Sequence, residues 1–258
     1  MKGLRKVIIV LLFIIDIFVF IIMFMSSTNT YQAINIDNYT KHVSALDYLQ
    51  SDSKNDNYIL ITEDSSENIW VEPAKNTNIK DEAIVFYPGA YVDAYAYLPI
   101  MYMLAEDGYL SCICSMSYNL AFFSTNSASN VINFEKYKDK LWYIGGHSLG
   151  GVAASSFYSK NYNSLNGLIL FASYSTTNLS NTNGRVLSIY GSNDGVLSIT
   201  SYEKNKSNLI NLTEVVINGG NHANFASYGA QKGDNIASIT NIEQYNQTKE
   251  TIENFFLK

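Results

Sequence analysis

A glycine-rich turn between two strongly patterned segments constrains this chain more than any other feature. The turn is Gly145-Gly146-His147-Ser148-Leu149-Gly150-Gly151, which contains the pattern Gly-x-Ser-x-Gly. The apolar residues 141–144 before it predict a short buried strand, and residues 152–158 after it predict a helix. A serine on so sharp a strand-to-helix turn takes strained backbone angles, and the glycines give the turn room. Its hydroxyl is then held above the sheet, in front of a helix N-terminus that favours negative charge.

Continuous apolar strands alternate with helices through most of the chain. This pattern predicts an α/β fold, with a mostly parallel central sheet and helices on both faces. The predicted strands are residues 58–61, 69–71, 83–87, 109–116, 141–144, 168–172, 186–190 and 214–217. The predicted helices are residues 41–50, 94–106, 152–158, 200–209 and 242–257, and residues 119–137 are predicted to be partly helical. Sheets of this kind place their functional sites at the carboxyl ends of the strands.

A serine hydroxyl becomes a good nucleophile only when a base removes its proton, and histidine is the side chain best suited to do so. The chain has three: His42 lies in the first predicted helix, and His147 is the variable residue of the turn. His222 directly follows the last predicted strand and is the predicted base. Asp194, which also follows a strand, is predicted to orient that histidine, with Asp234 as the main competitor.

An oxyanion hole needs two backbone donors. We expect one to be the N–H of Leu149, immediately after Ser148. The other is expected in the loop after the strand that ends at Tyr87, from the N–H of Ala90 or Tyr91. Between residues 175 and 184 the chain is short and polar, which predicts little or no cap domain. The open site is then expected to be bordered by the loop 226–239 and by three predicted substrate contacts, Tyr91, Tyr118 and Phe123.

Four segments carry a resemblance to a known family. They are residues 86–93, 143–151, 188–195 and 219–225, and the stretch 228–234 adds to them. Together they resemble the α/β-hydrolase superfamily, and most closely its small, dienelactone-hydrolase-like bacterial members. The resemblance implies an α/β-hydrolase fold with Ser148 as nucleophile, Asp194 as acid and His222 as base. Dienelactone hydrolases proper use cysteine as nucleophile, so their substrate is not carried over to a chain with serine.

The N-terminal residues have the pattern of a membrane-targeting segment. Residues 7–25 are apolar except for Asp16, and their length suits a bilayer-spanning helix. The insertion cost of Asp16 is outweighed by its apolar neighbours, and basic residues precede the run but do not closely follow it. We therefore expect a signal anchor at 1–25, a tether at 26–40 and the α/β-hydrolase domain at 41–258, outside the cytoplasm at the cell membrane. The alternative is a cleaved signal peptide and a secreted domain.

Composition excludes several other classes. The formal net charge is -6, which argues against nucleic acid as a partner because no basic stripe is available. Cys112 and Cys114 would point to the same face of a strand, too far apart for a disulfide. No Cys/His spacing indicates a metal site, and no cofactor is predicted.

The leading hypothesis is a serine hydrolase that acts on a small-molecule carboxylic ester through a Ser-His-Asp triad and an acyl-enzyme. The alternatives are amide or peptide hydrolysis, acyl transfer at the cell surface, or a membrane-tethered binding module without catalysis.

Overall fold

The computed structural model describes residues 8, 21, 23–40 and 58–257. Most of the predicted signal anchor and all of the predicted helix at 41–50 lie outside these residues. Within the described part of the chain, no helix is both long enough and apolar enough to cross a membrane.

An eight-stranded sheet forms the centre of the described domain, with the strand order β1-β2-β4-β3-β5-β6-β7-β8. The strands are β1 Leu60–Glu63, β2 Ile69–Glu72, β3 Glu82–Tyr87, β4 Leu110–Ile113, β5 Leu141–His147, β6 Gly167–Phe171, β7 Arg185–Gly191 and β8 Leu212–Ile217. The first two strands pair antiparallel, and β2 is also antiparallel to β4. All remaining pairs are parallel, so the predicted mostly parallel sheet is confirmed.

Both faces of the sheet are covered, which explains why its strands read as continuous apolar runs. In β3, Ile84 and Phe86 belong to one buried cluster, whereas Val85 and Tyr87 belong to the other. Cys112 and Cys114 are both buried in the second cluster as free thiols, as their spacing predicts.

Helices lie on both faces. They are α1 Asp37–Thr40, α2 Leu98–Glu106, α3 Ala128–Ile132, α4 Leu149–Asn161, α5 Ile199–Asn205 and α6 Asn241–Phe256. The first face is covered mainly by α2 and α6, and the second by α3 and α4. A capping box starts α6, in which Thr240 accepts from the N–H of Glu243 and the Glu243 carboxylate accepts from Thr240.

The connection between β6 and β7, residues 172–184, contains no helix. Residues 172–184 therefore form no helical cap, in agreement with the short polar connection predicted there. The carboxyl ends of the central strands are left open on that side.

A segment that precedes the sheet in sequence crosses its carboxyl edge. Residues 23–29 are helical, and residues 30–34, named here the N-terminal strap, follow them. Within the strap, Tyr31 donates its N–H to the Tyr91 carbonyl at 2.7 Å and accepts from the N–H of Asp93 at 3.0 Å. Ile34 donates to the Ser227 carbonyl at 2.8 Å. The stretch 26–40, predicted as a tether, thus contains a part that is fastened to the domain.

Candidate active site

Ser148 lies at the sharp turn between β5 and α4. Its backbone angles are φ 51° and ψ -123°, a conformation that non-glycine residues rarely adopt. Two glycines permit the turn. A Cβ on Gly146 would stand 2.5 Å from the carbonyl carbon of Gly150, and one on Gly150 would collide with the carbonyls of Tyr87 and Pro88. The Gly-x-Ser-x-Gly pattern is therefore a steric requirement of this turn.

Contacts from the neighbouring strand β6 hold the strained serine. Ser148 donates its N–H to the Phe171 carbonyl at 2.9 Å, and the Ser173 hydroxyl donates to the Ser148 carbonyl at 2.6 Å. Ala172, between these two partners, also has a positive φ of 46°. No sequence pattern indicates Ser173, because its contact with Ser148 arises only from the pairing of β5 with β6.

His222 and Asp194 form a buried pair. Nδ1 of His222 lies 2.9 Å from Oδ2 of Asp194, and both side chains are 1% exposed. The other oxygen, Oδ1 of Asp194, accepts from the N–H groups of Val196 at 2.8 Å and Leu197 at 2.7 Å. These bonds fix the carboxylate, which in turn fixes the orientation of the imidazole.

Asp234, the competitor for this position, contacts the backbone of both loops instead of the imidazole. Its Oδ1 accepts from the N–H of Gly195 at 2.9 Å, and its Oδ2 accepts from the N–H of Ala223 at 2.8 Å. Asp234 thus joins the loop of Asp194 to the loop of His222. It stabilises the spacing of the pair without being a member of it.

One small cavity contains both the serine and the histidine. Its volume is about 170 Å³, and its lining residues are Ser148, Leu149, Val152, Ala172, Ser173, Tyr174, Val196, Leu197, Ser198 and His222. Nε2 of His222, the nitrogen not bound to Asp194, has no hydrogen-bond partner among the described residues. This nitrogen is available to accept a proton from a group in the cavity.

Of the three predicted oxyanion donors, two have free N–H groups. In the described part of the chain, the N–H groups of Leu149 and Ala90 have no acceptor. The N–H of Tyr91 donates to the Asn119 carbonyl at 2.8 Å, so Tyr91 is not available as a donor. Tyr91 and Asn119 both have positive φ angles, of 57° and 52°, and this hydrogen bond joins the loop after β3 to the loop after β4.

A buried network lies behind these groups. The N–H of Gly89 donates to the Tyr97 hydroxyl at 2.8 Å, and that hydroxyl lies 2.9 Å from Nδ1 of His147. Among the described residues the hydroxyl proton has no acceptor other than Nδ1 of His147, so the hydroxyl donates to it and the His147 proton lies on Nε2. The rings of His147 and His222 are 4.6 Å apart. Burial, and next the nearby His222, lower the pKa of His147 well below its usual value, so His147 is neutral.

The three predicted substrate contacts stand on the other side of Ser148. The cavity lies over β6 and β7, whereas Tyr91 follows β3, and Tyr118 and Phe123 follow β4. None of the three lines the cavity. Among the described residues, no group of three or more His, Cys, Asp or Glu side chains is placed to hold a metal ion.

A family model described as "Alpha/beta hydrolase family" matches residues 83–246, the part of the chain that holds the turn, the acid and the histidine. The chain belongs to the α/β-hydrolase family. It is therefore an enzyme, and the fold expected from the resemblance is confirmed. A search of curated proteins found no significant match to this α/β hydrolase.

Solved structures with low sequence identity share the fold. Est1E from Butyrivibrio proteoclasticus is 14% identical with a TM-score of 0.57, over 77% of this chain and 98% of that one. XC6422 from Xanthomonas campestris, described as a serine hydrolase without a lid, is 12% identical with a TM-score of 0.56, over 77% and 94%. Dienelactone hydrolase from Anabaena variabilis is 12% identical with a TM-score of 0.54, over 76% and 96%.

Proposed function

We propose that this α/β hydrolase is a serine hydrolase that cleaves a carboxylic ester, with Ser148 as nucleophile, His222 as general base and Asp194 as its carboxylate partner. The observation that carries the proposal is the hydrogen bond between His222 and Asp194. The other ring nitrogen of His222, Nε2, has no partner among the described residues, and His222 lines the same cavity as Ser148. A base oriented by a carboxylate and opposite a strained serine is the arrangement that acyl transfer requires.

The reaction has two halves. Oγ of Ser148 attacks the ester carbonyl while its proton passes to Nε2 of His222, which gives a tetrahedral intermediate. That intermediate collapses as the C–O bond to the alcohol breaks and His222 returns the proton to the departing oxygen. Water then attacks the acyl-enzyme, again with His222 as base, and the acid leaves as Ser148 recovers its proton. Asp194 stays ionised and stabilises the imidazolium in both halves.

The negative oxygen of each tetrahedral intermediate is stabilised by the N–H groups of Leu149 and Ala90. Both belong to backbone whose position is fixed, one by the helix start and the other by the bonds of the following residue to Asn119. Loss of one such donor typically costs about 2.7–4 kcal/mol of transition-state stabilisation.

The cavity favours a compact acyl group. At about 170 Å³ it is smaller than the ~300–1,000 Å³ typical of sites for drug-sized ligands. The absence of a helix from residues 172–184 agrees with the description of XC6422 as a serine hydrolase without a lid. We further propose that residues 7–25 anchor the enzyme in the cell membrane with its domain outside the cytoplasm, as the basic residues before this run favour.

Substitution of the nucleophile tests the proposal. We expect Ser148→Ala to lower turnover of p-nitrophenyl acetate by at least about 10³-fold and to abolish covalent labelling by a fluorophosphonate probe. Ser156→Ala, in helix α4 that follows Ser148 but outside the cavity, is the matched control and is expected to keep both properties. Labelling that persists in Ser148→Ala would contradict the assignment of the nucleophile.

A further inference from the structure

The end of the apolar N-terminal run is fixed beside the active-site edge of the domain. The run ends at Met25, and residues 23–29 are helical up to the strap. At 1.5 Å per helical residue, Met25 lies about 8 Å along the helix axis from Thr30. The Thr30 hydroxyl accepts from Nδ2 of Asn119 at 3.0 Å. A bilayer that holds residues 7–25 is thus kept close to Asn119.

Three aromatic side chains stand exposed next to that contact. Tyr118, Phe122 and Phe123, named here the aromatic rim, are 40%, 53% and 52% exposed. They follow the carboxyl end of β4, so they lie at the same edge of the sheet as Ser148. Exposed aromatic rings grouped in this way mark a contact surface, and tyrosine suits the headgroup layer, where one end of the ring is wet.

The last residues of the apolar run are exposed as well. Met23, Phe24 and Met25 are 50%, 59% and 42% exposed, whereas Ser26, the first polar residue after them, is buried. The end of the run thus presents apolar side chains outward, and Thr30, five residues after Met25, links it through Asn119 to the loop that carries the rim. Because the intervening residues are helical and then hydrogen-bonded to the domain, the rim has little freedom to turn away from the bilayer.

We propose that the aromatic rim contacts the phospholipid bilayer that holds residues 7–25, and that the active site takes its ester from the headgroup layer of that bilayer. This inference rests on the proposed function. The strap binds Tyr91 and Asp93, in the loop that carries the oxyanion donor Ala90, so the anchor and the reacting carbonyl share one edge of the sheet. An ester that joins a short acyl group to a lipid headgroup enters across the rim and places that acyl group in the cavity on the far side of Ser148.

A longer linker between the anchor and the domain tests whether the substrate reaches the active site from the bilayer. The full chain is reconstituted in phosphatidylcholine vesicles, with and without 24 Gly/Ser residues inserted after Asn29. Such a linker has a mean span of about 25–29 Å, which lets the domain leave the surface. We expect the insertion to lower turnover of a fluorogenic acetate ester, held in the vesicles by a long alkyl chain on its alcohol, at least fivefold, while turnover of p-nitrophenyl acetate stays within twofold.

The two substrates separate the possible failures. If the natural chain cleaves neither ester, the proposed function fails. If both chains cleave the soluble ester and cleave the vesicle-embedded ester equally fast, the bilayer-facing site is overturned and the proposed function stands.

A second measurement does not depend on catalysis. Phe122→Cys and Leu141→Cys each receive a fluorescent nitrobenzoxadiazole label in the full chain, in which Cys112 and Cys114 are buried. Leu141, 41% exposed, begins β5 at the opposite edge of the sheet and is the matched control. We expect spin-labelled lipid to quench the label at 122 at least threefold more than the label at 141. Equal quenching at both positions would overturn the orientation.

Discussion

Tyr97 joins two parts of the site that are far apart in the sequence. Its hydroxyl accepts from Gly89, in the loop of the proposed oxyanion donor Ala90, and donates to His147, which lies 50 residues further on. The ring of His147 in turn lies beside His222. A single fully buried hydroxyl therefore couples the position of the loop after β3 to that of His222, the proposed base.

We expect Tyr97→Phe to weaken both stability and catalysis. Without the hydroxyl, the N–H of Gly89 and Nδ1 of His147 are buried without partners, which lowers the free energy of unfolding by about 1–3 kcal/mol. Displacement of the oxyanion loop is expected to lower kcat about 10-fold with KM within about twofold. Urea unfolding and ester kinetics measure the two effects.

Tyr202→Phe is the control for this substitution. Tyr202 is also fully buried and bonds through its hydroxyl to Ser188 at 3.1 Å, but it lies on α5 and does not line the cavity. It is expected to lose stability and to keep kcat. Equal kcat losses in the two variants would show that Tyr97 acts only through stability.

At this scale, the sequence was sufficient to predict which residues lie together where each of them follows a strand. Ser148, Asp194 and His222 each come directly after a predicted strand, and parallel strands bring those positions to one edge. Tyr97, Ser173 and the bracing by Asp234 could not be found in this way, because their roles depend on contacts between elements. The availability of Ala90 rather than Tyr91 depends in the same way on a bond to Asn119.

At the scale of elements, the N-terminal strap connects the loops that carry the proposed oxyanion donor and the proposed base. Its Tyr31 is bonded to Tyr91 and Asp93 in the oxyanion loop, and its Ile34 to Ser227 in the loop after His222. The rings of Tyr31 and Tyr228 are 5.3 Å apart. Residues 26–40 are predicted as a tether from their polar composition alone. The attachment of the strap could not be predicted, because backbone hydrogen bonds to a distant loop leave no periodic pattern in the sequence.

Deletion of residues 26–36 tests the role of the strap. Compared with a chain that begins at Ser26, a chain that begins at Asp37 is expected to turn over p-nitrophenyl acetate about 5–10-fold more slowly, because the oxyanion loop loses its bonds to Tyr31. Circular dichroism shows whether the sheet persists in both chains. Equal turnover by two folded chains would mean that the strap only attaches the domain to the preceding residues.

At the scale of the whole molecule, the neutral buried His147 makes stability depend on pH. The folded protein holds the pKa of His147 well below the usual value of 6.5, whereas the unfolded chain restores it. Below about pH 6.5 the unfolded state therefore binds a proton that the native state does not, and the protein becomes less stable as the pH falls. The contribution is at most about 1.4 kcal/mol per pH unit.

We expect His147→Gln, which does not titrate, to reduce this dependence. The free energy of unfolding, measured in urea at pH 7.5, 6.5 and 5.5, should fall less between pH 6.5 and 5.5 in the variant than in the natural chain. The natural chain and the variant share His222 and every other titratable group, so the difference reports His147. Parallel curves would show that His147 is not the group responsible.

The separation of the cavity from the oxyanion loop has a consequence for how such an enzyme can change. The cavity wall includes Val152, Tyr174 and Leu197, none of which bonds to Tyr97, Gly89 or the strap. Mutations in this wall can alter the acyl group that is accepted and leave the chemical machinery in place. Evolution can therefore change the preferred acyl group through these wall residues, while the turn at Ser148 and the proposed chemistry stay the same.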